Sequence, residues 1–262
     1  MARAHRYKIG TLVLWLNLFL ACDFEAEGDN SFLDAGNSGV GALLFHAEEK
    51  DAVEVTSAAA LQLGLGHDKS LTIEGWIRID RDLAGAVFSK RWTLDPAQTD
   101  YMLWVQPGLG LVWATGSPDD ACAWMAIELP TLGQWYHIAM TLEADGEKTG
   151  HKAFFLDGEK KGECDYQEKG PAHDDDLLIG AAERLLLFHG VHDHFSGAID
   201  ELHLSKEIIY REPFAPPASI VPSLKSIAFW DFSVEEGDEL PDLSGNGHDG
   251  RIFGAQSINA AR

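Results

Sequence analysis

Three sets of residues in this chain have side chains suited to chemistry. The first is aromatic: Trp92, Tyr101, Trp104, Trp113 and Trp124 lie on or beside successive period-two runs. Sugar rings present C–H faces that pack on Trp and Tyr, with polar groups at the rim, so these five are candidate ligand-binding residues. The same side chains also suit the filling of a core, since large aromatics are mostly buried. The second set is acidic. On a two-residue period Asp200 shares a strand face with Ala198, Leu202 and Leu204, while Glu201 shares the other with Ile199 and His203. An acid on an apolar face must find a cation, hydrogen-bond donors or a metal, because a lone buried carboxylate is costly. Adjacent acids point to opposite faces, so Asp200 and Glu201 do not form the one-sided carboxylate pair, about 5–5.5 Å apart, of a retaining glycosidase. The third set is imidazole: His189-Gly-Val-His-Asp-His194, joined by His173-Asp-Asp-Asp176, offers transition-metal ligands. No Gly-x-Ser-x-Gly, His-Glu-x-x-His or phosphate-binding Gly loop accompanies them. The expectation is a binding protein rather than an enzyme.

These residues must be positioned by strands. The chain has 262 residues, 45% of them hydrophobic, enough for one large domain or two small ones. Period-two runs occur at Leu71–Ile79, Tyr101–Val105, Leu111–Ala114, Cys122–Glu128, Trp135–Leu142, Lys152–Leu156 and Phe195–Leu204. Turn signals separate them at Pro107-Gly108, Gly116-Ser117-Pro118, Asp145-Gly146 and Asp157-Gly158. Only Lys206–Arg211 suggests a short helix or turn. Strands this short and this many predict an all-β fold, a two-sheet antiparallel β-sandwich. Lys+Arg is 20 against Asp+Glu 42, a formal net charge of −22. That acidity argues against nucleic acid and against passive docking on anionic lipid. It leaves sugars, cations and basic protein surfaces as partners.

The first residues read as an address. Arg3, Arg6 and Lys8 precede an apolar run from Ile9 to Ala21, too short to span a bilayer, so residues 1–21 are expected to be a secretory signal. The run ends in Phe19-Leu20-Ala21-Cys22, which resembles a bacterial lipobox, although Phe19 and Leu20 depart from the usual Leu and Ala or Ser. The resemblance implies lipidation of Cys22, with the polar, acidic residues 22–39 as a tether. The alternative is an ordinary signal cleaved elsewhere. The address implies a lipid-anchored protein of the bacterial cell envelope. In that oxidising compartment Cys122 and Cys164 form an even pair, expected as a disulfide, with two separate buried thiols as the alternative.

Leu71-Thr-Ile-Glu-Gly-Trp-Ile77, Gly133-Gln-Trp-Tyr-His-Ile-Ala-Met-Thr141, Phe155-Leu-Asp-Gly158, Leu178-Ile-Gly180 and Phe195-Ser-Gly-Ala-Ile-Asp-Glu-Leu202 occur in that order. Together they resemble the laminin-G-like, concanavalin A-like jelly-roll superfamily, over roughly residues 40–214. The resemblance implies a jelly roll, a glycan or an envelope protein as partner, and scaffold roles for Trp76, Trp135 and Trp230. It places the His189–His194 stretch in a variable loop, which favours a solvated polar loop over a metal site. It also implies a structural Ca²⁺ near Asp200, with Asp242 as second acid; the alternative is an Asp200 bonded to backbone N–H or Arg. Residues 215–225, rich in Pro, read as a linker. Residues 226–262 contain Ile227-Ala-Phe-Trp-Asp-Phe232, which resembles the opening strand of such domains although it comes last. So short a segment cannot bury a core alone. It is expected to complete the same sandwich, the alternative being the start of a truncated second domain.

Overall fold

Alternating runs broken by Gly, Pro and Asp turns fold as strands because β-branched and aromatic side chains pack well on a pleated sheet. The computed structural model describes residues 41–62, 70–90, 100–115, 122–145, 149–167, 173–183, 191–234, 237–260 and 262. Among these residues there is no helix. The strands begin with β1 (Gly41–Phe45), β2 (Ala52–Val55), β3 (Leu71–Ile79), β4 (Gly85–Lys90), β5 (Tyr101–Gln106) and β6 (Gly110–Thr115). They continue with β7 (Trp124–Ile127), β8 (Trp135–Ala144), β9 (Thr149–Leu156), β10 (Glu159–Gln167), β11 (Leu177–Ile179) and β12 (Ala182–Glu183). The last are β13 (Val191–His192), β14 (Gly197–Ser205), β15 (Ser226–Trp230), β16 (Glu239–Leu240), β17 (Gly250–Phe253) and β18 (Gln256–Asn259).

The first sheet runs β10-β9-β8-β3-β14-β1-β18, with β15 also paired to β14. The second runs β16-β17-β2-β11-β4-β5-β6-β7, and β12 pairs β13 apart from both. The two eight-stranded antiparallel sheets form the β-sandwich that the alternation predicts, a jelly roll as the resemblance implies. Their facing sides share one core in which Phe45, Phe88, Trp113, Phe154, Trp230 and Phe232 are fully buried. The segment from Ser226 contributes to both sheets: β15 lies against β14, β17 against β2, and β18 against β1.

Two local features set the positions of the polar side chains on the first sheet. At the β9–β10 turn Asp157 (φ 49°) and Gly158 (φ 73°) are both left-handed, the geometry that suits a tight hairpin. A Cβ on Gly158 would lie 1.8 Å from the Phe214 carbonyl oxygen, so this turn is also where the returning chain docks. From Lys206 onward that chain forms bends rather than a helix and crosses the outer face of the first sheet. Tyr210 and Phe214 stack there, 3.5 Å between ring centroids, against Ala139, Ala153 and Phe155. The second feature is a bulge in β14, where the register against β3 jumps between Asp200 and His203 and Glu201 takes a φ of 53°.

Candidate functional site

The strand period divides the aromatic candidates. On β5, Tyr101, Leu103 and Val105 enter the core; Met102 and Trp104 take the outer face. On β6, Leu111 and Trp113 point in, and Val112 and Ala114 point out. Tyr101 and Trp113 are both 0% exposed, so these two are corrected from ligand contacts to core. The Tyr101 hydroxyl donates to the Leu61 carbonyl at 3.2 Å, and burial pushes its pKa well above the usual value. The Trp113 ring carries the Lys152 ammonium 4.9 Å from its centroid, and that ammonium donates to Thr115 Oγ1 at 2.9 Å. Trp92 lies outside the described residues.

Trp104 and Trp124 remain, both on the outer face of the second sheet. Cross-strand register sets Trp104 beside Val112 and Val112 beside Ala126, while Ala114 pairs with Trp124. The half-buried Trp104 and the exposed Trp124 therefore pack over the buried Val112 and Ala114, with the exposed Ala126 next to Trp124 along β7. The two indole centroids are 6.4 Å apart with planes at 60°, and Trp124 is 39% exposed. Val112 and Ala114 are each 2% exposed, so the open part of this aromatic shelf is Trp124 with Ala126 beside it, a surface that takes the apolar face of a pyranose.

The shelf continues into a cleft. β7 is the outermost strand of its sheet, and the Cys122–Cys164 disulfide (Cα–Cα 5.9 Å) ties its start to β10 of the other sheet. The expected pairing of these cysteines is thus present. The Thr115 N–H donates to the Ala123 carbonyl at 2.9 Å, so Ala123, Met125 and Ile127 turn their peptide groups toward β6. Trp124 and Ala126 turn theirs to the free edge. Beside that edge lies a cleft of about 550 Å³ lined by Ala126, Glu128, Thr131, Tyr136, Leu156 and Lys161. The Tyr136 hydroxyl accepts from Thr131 N–H (3.3 Å) and donates to Gln134 (3.2 Å), which fixes the loop that walls it. Lys161 Nζ pairs with Glu159 at 2.6 Å on the rim.

The acidic candidates are placed differently from the expectation. The bulge at Glu201 changes the face parity of β14, so Ile199, Leu202 and Leu204 point inward while Asp200 pairs with Trp76 and His203 with Glu74 on the outer face. Arg262 lies with its guanidinium 4.9 Å from the Trp76 centroid. It reaches Asp200 at 3.2 Å and Glu201 at 2.7 Å. Burial raises Asp200 to about 7 against the pull of Arg262, and the neighbouring Glu201 and Asp231 add to the rise. Asp242 is a turn anchor: its oxygens accept N–H bonds from Phe229 (3.0 Å), Ser244 (2.9 Å) and His248 (3.0 Å). Burial opposes its ionisation, and these bonds more than offset that, holding its pKa below the usual value. Ca²⁺ takes six to eight oxygens. A guanidinium beside one acid and a saturated shell around the other do not fit it, so the assignment of Asp200 and Asp242 to a metal is corrected. Of the imidazoles, His194 is held by the Asp51 carbonyl at 3.0 Å, and His189 lies outside the described residues. The described donor trio within 4.8 Å is instead His46, Glu49 and Asp51, where His46 and Asp51 already bond each other.

Sequence reasoning missed one polar cluster on the outer face of the first sheet. Glu74 Oε1 meets His203 Nδ1 at 2.9 Å, and His203 Nε2 meets Ser226 Oγ at 2.8 Å. Tyr210 donates its hydroxyl to Glu74 Oε2 at 2.7 Å, and His137 lies 3.4 Å from the same oxygen. Burial works against the Glu74 charge, but the nearby His137 and the hydrogen bonds with His203 and Tyr210 lower its pKa to about 2. The order Ser–His–Glu is that of a nucleophile, a base and its orienting acid. Here the serine is 5% exposed and its Oγ also accepts the Ser223 N–H at 2.8 Å, so the hydroxyl is enclosed. Glu74 and His203 stand among other polar residues, Thr72 and Arg78 on β3 and Asp200 and Glu201 on β14, so the sequence carried no distinct signal for the cluster.

The sandwich has counterparts among known proteins. The model of the concanavalin A-like lectin/glucanases superfamily matches residues 47–209, more than half the chain, and the protein belongs to that family. A solved structure of a candidate carbohydrate-binding protein from Bacteroides ovatus ATCC 8483 superposes with a TM-score of 0.63 at 16% identity. It covers 85% of this chain, which spans 60% of that protein's length. A pentraxin from Limulus polyphemus (TM-score 0.47, 17% identity) covers 67% of this chain and is itself 80% covered. The LG4-5 domains of mouse laminin α1 (TM-score 0.42, 14% identity) cover 68% and are 45% covered. Among curated proteins no sequence match is found.

Proposed function

We propose that this protein is a lipid-anchored, exported module of the bacterial envelope that binds glycans on the Trp104–Trp124 shelf. The observation that carries the reading is the exposed indole of Trp124, backed edge-on by the half-buried Trp104 and bordered by the exposed Ala126. The superfamily and the fold shared with the Bacteroides protein support a binding module. A binding rather than a catalytic role is further supported by its buried acids: Arg262 engages Asp200 and Glu201, and three side chains engage Glu74. Anchoring rests on Cys22 and the preceding apolar run. The test is a glycan array followed by titration of the hits against Trp104→Ala and Trp124→Ala. Each substitution is expected to weaken binding about tenfold, the loss of about 1.4 kcal/mol of ring stacking. Hits whose affinity both variants leave unchanged would move the site elsewhere.

A further inference from the structure

The shelf accounts for one sugar ring, and the structure offers more. Ala126 is the exposed neighbour of Trp124 on the outer face of β7 and also lines the adjacent cleft, so the two surfaces are continuous. The cleft follows the free edge of β7, where the peptide groups of Trp124 and Ala126 point away from β6. Backbone N–H and C=O groups suit sugar hydroxyls, which both donate and accept. Its far wall comes from the other sheet, with Tyr136 and Leu156 as an apolar side and Lys161 as a polar group, and Glu128, just past β7, adds a polar group on the near side. A cleft of about 550 Å³ falls within the range of ligand sites, roughly 300–1,000 Å³. A formal net charge of −22 disfavours an acidic polymer along such a groove.

We infer that the Trp104–Trp124 shelf and the β7 cleft form one groove for the interior of a linear, uncharged polysaccharide, rather than a pocket for a terminal sugar. One ring stacks on Trp124 while further units run along the β7 edge toward Lys161. This rests on the glycan-binding reading and extends it to chain length and charge.

The experiment titrates the full exported chain with neutral β-linked gluco-, xylo- and manno-oligosaccharides, from monosaccharide to hexasaccharide, and with an acidic uronan of equal length. Affinity is expected to rise at least about tenfold from mono- to tetrasaccharide, and the uronan is expected not to compete. Lys161→Ala, an exposed change at the far end, is expected to reduce that gain about threefold and leave monosaccharide binding unchanged. Trp124→Ala is expected to weaken every length. If binding depends on Trp124 but a monosaccharide competes as well as a hexasaccharide, the groove is refuted and the shelf stands. The groove is also refuted if Lys161→Ala leaves the gain intact, and its charge selectivity if the uronan binds best. If no oligosaccharide binds, the glycan reading falls and the groove with it.

Discussion

Replacing Asp200 by Asn isolates the least comfortable charge in the structure. Asp200 is 1% exposed and shares the Arg262 guanidinium with Glu201, so burial outweighs attraction and raises its pKa from 3.8 to about 7. A folded pKa above the unfolded one means that the native state holds a proton the unfolded chain has lost. Stability from this group is therefore fully present below about pH 4 and falls as pH rises through about 7. The rise corresponds to about 4 kcal/mol across that window. Asn keeps the shape and carries no titrating proton, while Arg262 stays paired with Glu201. Urea unfolding of both proteins at pH 4.5, 6 and 8 reads the difference, because other titrating groups largely cancel between them. Asp200→Asn is expected to gain on the parent steadily with pH, by several kcal/mol between the extremes. A difference that stays constant with pH would refute the reasoning and make Asp200 an ordinary ion-paired carboxylate.

Glu74 behaves in the opposite sense: with a folded pKa of about 2, its contribution is present above about pH 4.5 and is lost as pH falls toward 2, so Glu74→Gln should flatten the acid limb of stability by about 3 kcal/mol in acid titration followed by circular dichroism. Cys122→Ser/Cys164→Ser opens a closed loop of sequence separation 42, which costs about 4 kcal/mol in the chain-entropy model, and urea midpoints should fall accordingly. Ending the chain after Pro222 removes β15 to β18 and bares the edges of β1 and β2, so the product should aggregate in size-exclusion chromatography; a monomer with unchanged melting would make the segment dispensable. Cys22→Ser should leave unprocessed precursor or a soluble product, whereas an unlipidated native N-terminus by mass spectrometry would end the anchoring proposal.

The strands were legible because their alternation is regular, and the hairpin at Asp157-Gly158 because few residues accept two left-handed positions in succession. The side of the sheet on which each aromatic would fall was not legible. β5 and β6 carry apolar residues on both faces, Met102, Val112 and Ala114 outward as well as Leu103 and Leu111 inward, so alternation separates Trp104 from Tyr101 without saying which is buried. Asp200 failed for another reason. The bulge at Glu201 inserts one residue with no Gly or Asn to mark it, and every face assignment beyond it inverts. Arg262 lies 61 residues from Glu201 in sequence, so nothing local announced the cation that holds both acids.

The two outer faces of the sandwich differ in how they are covered, and this bears on the place of the proposed ligand shelf. The outer face of the first sheet carries Glu74, Trp76, His137, Asp200 and His203, and the chain from Lys206 to Ile220 crosses it. Thr72 bonds Glu207 and Ile209 there, Glu74 bonds Tyr210, and Glu201 bonds Ser219 and Ile220. The crossing segment thus supplies partners to Thr72, Glu74 and Glu201 from within the same chain, as buried polar groups require. The outer face of the second sheet is covered only in part. Ala182 of β12 packs with Ala86, Met102 and Ala114, with Trp104 at their margin. Among the described residues no cover reaches β7, and Trp124 and Ala126 are exposed on an edge strand. The part of the Trp124 ring left exposed adds no burial and carries a risk of aggregation on an edge strand. The disulfide two residues before Trp124 holds that edge in place, so the exposed ring is also a positioned one. A fixed aromatic surface at the margin of the covered face is the arrangement that a preformed binding site requires, since the entropy of ordering it has been spent in folding rather than on contact with the ligand.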